Sequence, residues 1–356
     1  MEKNKGEIVS NESPGRRSIR RRAFLQTGAI GLAGAALAKI AGGGTVAAQE
    51  SPKGSRLVVA RHPDATNDEG AGKPDIVKLM VDRAVCELAG KDSVAEAWGA
   101  FIKPSDVVGI KVNSANAGTV SAQPCVVAAI VSGLVAAGVK ENSIIVWDRS
   151  SRFLTEAGFT LNDSSQGVRC YGTDRGGKAP GKDAPSPFYE SSGVAVADKQ
   201  VFFSKILTTE ITALINVPVV KDHMIAGVTC ALKNNYGTIA SPKDLHKNCC
   251  DPYVAALNAS APIKEKTRLV MLDGLAALYN GGPPGKPEWR WRLNSIVASC
   301  DPVAVDAWAL RVLEEKRAEK GLSPIGDRAR HVATAAKMGV GINDLSRVDI
   351  VEKTLG

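Results

Sequence analysis

The run Thr212-Ala-Leu-Ile-Asn-Val-Pro-Val-Val-Lys-Asp-His223 carries the clearest indication of the fold class. Residues 213–220 are almost all apolar and rich in Val and Ile, which is typical of a strand buried on both faces of a parallel sheet. Three ionisable side chains follow, Lys221, Asp222 and His223. Ligands of open α/β sheets bind beyond the carboxyl ends of the strands. The run therefore predicts an α/β protein with a ligand site next to these three residues.

Further candidate site residues follow within a short distance. Small residues around Gly227 favour a helix start or a close approach of the backbone to a ligand. Lys233 comes next, beside Asn234, and His246 follows. Two of the chain's four histidines and two lysines thus fall within residues 221–246, and this clustering indicates a ligand or active site. A solvated strand end is the alternative interpretation.

A second predicted strand carries similar residues. Residues 106–113 form an apolar run whose last positions include Lys111 and Asn113. A helix is predicted over 122–137, and the next strand, 143–148, ends in an aspartate. Strand, glycine-containing loop, helix and strand make a βαβ unit with a right-handed crossover. Polar residues are therefore predicted to collect twice at one edge of the sheet.

The rest of the chain continues the same pattern and predicts an α/β fold, with a mostly parallel sheet or sheets flanked by helices. An irregular insertion is expected near 151–200, because residues 176–187 contain too many Gly and Pro for a regular element. Residues 56–356 are expected to form the domain. One alternative within it is a pair of lobes with an insertion or lid between them: 56–175, 200–356 and 176–198.

The first residues resemble an export signal rather than part of the fold. Arg20-Arg-Arg-Ala-Phe-Leu-Gln26, the weakly apolar segment 28–38 and Val46-Ala-Ala48 resemble a twin-arginine signal with a cleavage site after about Ala48. The apolar segment is far shorter than the ~20 residues that a spanning helix needs. We therefore expect residues 1–48 to be the signal and 49–55 a flexible leader. The expected partner is the twin-arginine export machinery, and the mature chain is expected to be periplasmic or otherwise extracytoplasmic, with no stable membrane span.

Charge and cysteine content argue against several function classes. The formal net charge of +8 is inflated by the first 22 residues, which contain Lys3, Lys5 and five arginines. No basic stripe is interleaved with aromatic residues, so nucleic acid is not an expected partner. None of the seven cysteines forms a C-x-x-C spacing, which disfavours a local iron–sulfur site. Because seven is odd, at least one cysteine is unpaired unless it bonds another chain or a metal.

Several sequence blocks stand out together. They are Val108-Gly-Ile-Lys-Val-Asn113, Asn216-Val-Pro-Val-Val-Lys-Asp-His223, Gly227-Val-Thr-Cys-Ala-Leu-Lys-Asn234 with Tyr236-Gly237, Asp273-Gly274 and Asp301-Pro-Val-Ala-Val-Asp306. The set resembles the domain-of-unknown-function family 362 over roughly residues 56 to 320. This resemblance implies a family but no activity. Some members carry ferredoxin-like iron–sulfur segments, and this chain has no such cysteine run.

A shorter resemblance bears on mechanism. His223 with Gly227, Lys233 and then His246 is similar to the core of the nickel-pincer lactate racemase family, in which a lysine holds a pyridinium-derived cofactor between two histidines. The resemblance implies a transition metal or a nickel-pincer-like cofactor. Imidazole moves protons or binds a transition metal, and a lysine amine holds a carbonyl-type group covalently. The Gly-Gly-x-Lys form of that family is replaced here by Cys230-Ala-Leu-Lys233.

These observations assign roles to the candidate residues. His223, His246 and Lys233 are the expected catalytic residues. Basic and amide groups are expected to bind a small anionic substrate: Lys111, Asn113, Lys221 and Asn234. A metal, if bound, would be held by the histidines and two strand-end or helix carboxylates: His223, His246, Asp273 and Asp306.

Alternative functions remain open at this level. One is a structural network in which the lysines pair with acids such as Asp148. Another is a periplasmic protein that binds a metal or an anion without catalysis. An iron–sulfur electron-transfer protein is a third and disfavoured alternative. The sequence leaves the substrate, the disulfide pattern and the oligomeric state open.

Overall fold

The computed structural model describes residues 55–115, 120–176 and 187–356. The predicted signal, 1–48, and nearly all of the leader lie outside the described residues. So do residues 177–186 of the predicted lid and residues 116–119 of the loop that follows the strand containing Lys111. Residues 55–356 belong to one compact unit.

Twelve strands occur within the described residues. They are β1 Ser55–Arg61, β2 Val108–Val112, β3 Ile144–Asp148, β4 Arg169–Gly172, β5 Val194–Val196, β6 Lys199–Val201, β7 Ala213–Val217, β8 Val219–His223, β9 Gly227–Thr229, β10 Thr267–Leu278, β11 Arg290–Ser299 and β12 Val348–Thr354.

Helices connect most of these strands. The α-helices are α1 Pro74–Ala89, α2 Val94–Gly99, α3 Pro124–Ala136, α4 Ser151–Glu156, α5 Ala231–Asn234, α6 Tyr253–Ala259, α7 Ala261–Lys264, α8 Pro302–Glu319 and α9 His331–Lys337. Short 3-10 segments lie at Glu141–Ser143, Asn235–Thr238, Pro242–Leu245, Asn248–Cys250, Pro287–Trp289, Gly326–Ala329 and Leu345–Arg347, and a π-helical turn at Ile206–Glu210.

One large mixed sheet forms the centre of the unit. Its strand order is β12-β1-β11-β10-β7-β2-β3-β4, with β8 pairing with β10 and with β9. The strands pair in parallel except β1 with β11, β10 with β11, and β8 with β9. The predicted α/β class with a mostly parallel sheet is therefore confirmed. Strands from 56–175 and from 200–356 share this sheet, because β7 lies between β2 and β10.

Helices cover both faces of the sheet, as buried parallel strands require. Successive residues of β1 belong to different apolar cores: Leu57 and Val59 to one, Val58 and Ala60 to the other. One core contains α1 and α3, and the other contains α6, α8 and α9. The site described below lies on the side of α5, α6, α8 and α9.

The predicted strand 213–220 is in fact two strands. Pro218 separates β7 from β8, because proline has no N–H to donate to a sheet ladder. β7 pairs with β2 and β10, whereas β8 pairs with β10 and β9. As a result, Lys221 and His223 are residues of a strand rather than of the loop beyond it.

The predicted insertion is partly regular. Cys170 lies on the short strand β4, as expected, and pairs with β3. Residues 194–201 form a separate two-stranded sheet from β5 and β6. In the described residues of the predicted lid, Tyr189 is buried.

Candidate active site

Strand β8 directs its charged residues to two faces. Because side chains alternate along a strand, Lys221 and His223 share one face and Asp222 points to the other. Asp222 is buried next to two arginines, with its Oδ1 3.6 Å from Arg317 and 3.5 Å from Arg328. Burial raises the pKa of Asp222, and the two arginines oppose that change. Asp222 therefore anchors helix α8 and is separate from the histidine and lysines.

Lys111 forms a buried ion pair. Its Nζ lies 2.8 Å from Asp148 Oδ1 and also donates to Val112 O and to Asn234 Oδ1. Burial alone would raise the pKa of Asp148, but Lys111 and Ser114 outweigh it and the pKa is lowered. Gly237 packs on this pair so closely that a Cβ there would lie 2.6 Å from Lys111 Nζ. The ammonium of Lys111 is therefore fully engaged by the protein.

Asparagine side chains connect β2, β7 and α5. Asn234 Nδ2 donates to Asn216 Oδ1 at 2.7 Å and to Lys111 O at 3.2 Å. Asn234 Oδ1 accepts from Asn113 Nδ2 at 3.2 Å. All of these groups are buried. The structure thus brings Lys111, Asn113 and Asn234 together, and their bonds to one another hold α5 against the sheet.

Lys221 joins this network through oxygen acceptors. Its Nζ donates to Asn113 Oδ1 at 2.8 Å, to Ala115 O at 3.2 Å and to Val120 O at 3.3 Å. Burial lowers the pKa of Lys221 to about 7. Three acceptors use all three N–H groups of an ammonium. Lys221 therefore ties both ends of the loop between residues 115 and 120 to β8.

Lys233 differs from the other two lysines. Its Nζ lies 3.0 Å from His246 Nε2 and 3.8 Å from the centre of the Tyr236 ring. Within the described residues it has no carboxylate or carbonyl partner within hydrogen-bonding distance. Burial lowers the pKa of Lys233 to about 8. Lys233 therefore has N–H groups that can bind another molecule. Its ammonium also loses a proton readily, which makes the nitrogen lone pair available for reaction.

The two predicted catalytic histidines lie side by side in opposite tautomers. The His223 and His246 rings stack with centroids 5.7 Å apart. His223 Nδ1 accepts from the backbone N–H groups of Ile225 and Ala226, both at 3.1 Å, so the proton of the neutral ring is on Nε2. His246 Nδ1 donates to Pro242 O at 2.9 Å, so its Nε2 carries the lone pair that faces Lys233.

Both rings are neutral near pH 7. Burial, then Lys233 and His246, lowers the pKa of His223 to about 2. Burial and then Lys233 lower the pKa of His246. We therefore assign His223 as a hydrogen-bond donor and His246 as the acceptor that faces Lys233. We call Lys233, His246 and His223 the lysine–histidine centre.

The predicted metal ligands do not converge. Asp273 accepts from the N–H groups of Gln123 and Leu275, and Asp306 accepts from Ala231 N–H at 2.6 Å and from Leu232 N–H. Burial raises the pKa of each carboxyl to about 7. In the part of the chain that the structure describes, no group of three or more His, Cys, Asp or Glu side chains could hold a metal ion.

The tautomer of His223 also does not suit a metal. A histidine that ligates a metal usually donates its other ring N–H to an acceptor. His223 does the reverse, because its Nδ1 accepts from two backbone N–H groups. The donor set His223, His246, Asp273 and Asp306 therefore does not fit a metal centre, and Asp306 serves instead to cap the first turn of α5.

Three residues near the centre were not predicted from the sequence. His331, Tyr236 and Cys250 are all buried. The Tyr236 ring meets the His246 ring edge-on at 5.3 Å and its hydroxyl donates to Leu245 O. Tyr236 lies three positions after Lys233. Residues three apart on a helical turn share a face, so this spacing could have identified Tyr236 as a neighbour of Lys233. His331 comes from a helix about a hundred residues away, so no local pattern could have identified it.

An open cleft of about 720 Å³ lies against His246. Its lining carries more positive than negative charge: Arg149, Lys243 and Lys247 against Asp244, with Ile225, Ala240, Ser241, Pro242 and His246 completing the wall. An anion that enters the cleft therefore meets a lining with an excess of positive charge beside His246.

Comparison with known proteins gives a family but no activity. No curated protein matches this chain. A crystal structure of a Thermotoga maritima protein is similar with a TM-score of 0.39 and 10% identity, covering 71% of this chain and 60% of that chain. Residues 108–311 match the family described as Domain of unknown function (DUF362), and the match covers more than half of the 356 residues. The protein belongs to the DUF362 family.

Proposed function

We propose that the protein is an enzyme in which Lys233 reacts with the carbonyl group of a small anionic compound. The observation that carries this proposal is the 3.0 Å contact between Lys233 Nζ and His246 Nε2, beside a second histidine of opposite tautomer. A nucleophilic lysine needs a lowered pKa and a nearby base. Lys233 has both, because burial lowers its pKa to about 8 and His246 offers a lone pair.

Each residue of the centre has a distinct part in the proposed reaction. His246 accepts a proton from Lys233, and the freed amine forms a C–N bond to the carbonyl carbon. The π electrons of the C=O bond move onto oxygen, where the Nε2–H of His223 stabilises the developing charge. One proton of the nitrogen then passes to that oxygen, and the other leaves with the hydroxyl as water when the C–O bond breaks, which gives an imine on Lys233. No step passes through a metal, since the predicted metal ligands do not converge.

The positive lining of the cleft supports an anionic substrate. Arg149 lies at its wall, with Lys243 and Lys247 at its exposed edge. Cations that converge on a cleft raise the local concentration of an anion and favour carboxylate or phosphate groups. Lys111 and Lys221 do not belong to this binding role, because protein oxygens already occupy their ammonium groups.

Trapping with pyruvate tests the proposal. Incubation of the mature protein with pyruvate and cyanoborohydride should alkylate Lys233 ahead of other lysines, as read by peptide mass mapping. Only the unprotonated amine reacts, so the labelling rate should rise with pH through about 8, the pKa of Lys233. An ordinary lysine follows at a pKa of about 10.4. The Lys233→Met variant should lose this fast adduct.

Lys266 provides the matched control. Burial lowers its pKa as well, but its Nζ donates to the carbonyls of Leu207, Thr208 and Ile211. Lys266→Met should leave the fast adduct unchanged. Labelling spread over the exposed lysines, with none on Lys233, would contradict the enzyme proposal. Saturable pyruvate binding without an adduct would instead favour the non-catalytic anion-binding protein.

We also propose that the chain is exported by the twin-arginine route. The support is the Arg20-Arg-Arg-Ala-Phe-Leu-Gln26 motif with the apolar segment after it. In the described part of the chain, no helix is both long enough and apolar enough to span a membrane. The proposed substrate would then be encountered outside the cytoplasm.

A further inference from the structure

His331 is a buried histidine that the proposed reaction does not use. It is the first residue of α9 and is 0% exposed, and within the described residues neither ring nitrogen has a hydrogen-bond partner. Its position relates it to the lysine–histidine centre. A Cβ at Gly227, the residue opposite His223 in the register of β8 and β9, would lie 2.8 Å from Ala329 N, and Ala329 is two residues before His331.

Thr229 gives an independent observation at the same place. Its Oγ1 is buried and also has no partner among the described residues. Thr229 lies opposite Lys221 in the register of β8 and β9, and Gly227 lies opposite His223. Residues opposite each other in an antiparallel pair share a face. The Thr229 hydroxyl is therefore on the face of the sheet that carries Lys221 and His223.

Unpartnered polar groups in a protein interior are costly and rare. Most buried polar atoms have a hydrogen-bond partner. A buried polar atom without one calls for an explanation, such as a bound molecule, an ordered water or a functional role. Burial lowers the pKa of His331 to about 3, so its ring is neutral and holds one N–H donor near pH 7. His223 offers Nε2–H, Thr229 offers O–H and Lys233 offers N–H. Donors thus predominate around one location, and they require an acceptor-rich ligand.

We propose that His331 and Thr229 together bind an oxyanion group of the ligand at the inner end of the lysine–histidine centre, next to the carbonyl oxygen that His223 binds. This inference rests on the proposed function for the position of the ligand, and it names the substrate class as one with a carboxylate or phosphate next to the reacting carbon. The oxyanion completes the hydrogen bonds of His331 and Thr229, and it lies where Lys233 adds its charge. The cleft cations attract the ligand, and the inner donors orient it.

Propionate and methyl phosphate are suitable probes because neither has a carbonyl that forms an imine with Lys233. Failure of oxyanion binding is thus distinguishable from failure of the lysine chemistry. Titration of either probe into the mature protein with ¹⁵N-labelled histidine should shift the His331 ring resonances. The His331→Phe and Thr229→Val variants should each weaken binding by about tenfold or more, the effect of losing a hydrogen bond to a charged group.

Stability supplies the second readout. Both substitutions remove a buried unpartnered polar group, so the thermal midpoint should stay equal or rise while binding falls. The control is His62→Phe, at the end of β1 beside Asp64, which should alter neither. A His331 ring that responds to neither probe would overturn the proposal, because an ordered water or plain core packing would then suffice. Equal probe binding by Thr229→Val would overturn it even if His331→Phe failed to fold.

Discussion

At the scale of the residue, backbone groups determine which ring nitrogen carries the proton in two otherwise identical imidazoles. Two N–H groups of the turn after β8 point at His223 Nδ1, and one carbonyl accepts from His246 Nδ1. The same side chain therefore becomes a donor in one place and an acceptor in the other. A pair of groups with opposed roles beside a lysine of lowered pKa is what acid–base chemistry at an amine requires.

The lysines show what sequence alone could and could not predict. Their clustering correctly indicated that Lys111, Lys221 and Lys233 lie near one another, since strand position is readable from apolar runs. It could not separate their roles, because the groups that bind Lys111 and Lys221 come from distant parts of the chain: Asp148 from β3 and Asn113 from the end of β2. Which ammonium remains available is a property of the tertiary contacts.

At the scale of the element, the short helix α5 is held by a carboxylate from another helix. Asp306 lies in the second turn of α8 and accepts from the N–H groups of Ala231 and Leu232 at the start of α5. Asp301, one and a half turns earlier, caps α8 itself by accepting from Val303 and Ala304. Asp301 has the local pattern of a cap, because Pro302 follows it at the first helical position, whereas Asp306 has no such local explanation.

These two aspartates give a matched pair of substitutions. Asp301→Ala removes the cap of α8, which should lower the free energy of unfolding by about 0.5–2 kcal/mol, and it also removes the acceptor of the Ile342 N–H. Asp306→Ala leaves two buried N–H groups without a partner, each costing about 1–3 kcal/mol. It also releases α5, so pyruvate labelling of Lys233 should slow by about tenfold or more, since small misplacements of reacting groups are costly. Denaturant unfolding and the labelling rate check both; equal labelling rates in the two variants would contradict the role of Asp306.

At the scale of the whole molecule, the fold class was accessible from the sequence but the strand order was not. Apolar runs with Val and Ile predicted β2 and β3, and a mostly parallel sheet followed from the alternation of strands and helices. The insertion of β7 between β2 and β10 depends on pairing between residues about 105 positions apart for β2 and about 53 positions apart for β10. Because β7 and β8 are adjacent in sequence, their apolar residues predicted a single strand. In the structure Pro218 separates the two strands.

Export is a prediction about the whole chain. The double substitution Arg21→Lys and Arg22→Lys should leave full-length protein in the cytoplasm, whereas the unchanged chain should accumulate outside it as a shorter species. The double substitution Arg16→Lys and Arg17→Lys is the control, because it makes the same chemical change outside the motif. Immunoblots of cell fractions check the outcome. Equal export of both variants would argue against the twin-arginine route.

The proposed chemistry requires neutral His223 and His246 rings in opposite tautomers, with the lone pair of His246 facing Lys233. Nitrogen chemical shifts of the two rings, recorded at pH 7 on ¹⁵N-histidine-labelled mature protein and assigned with His223→Gln and His246→Gln, measure this directly. We expect a proton on Nε2 of His223 and on Nδ1 of His246, with neither ring charged. The same tautomer in both rings, or a positively charged ring at either position, would contradict it.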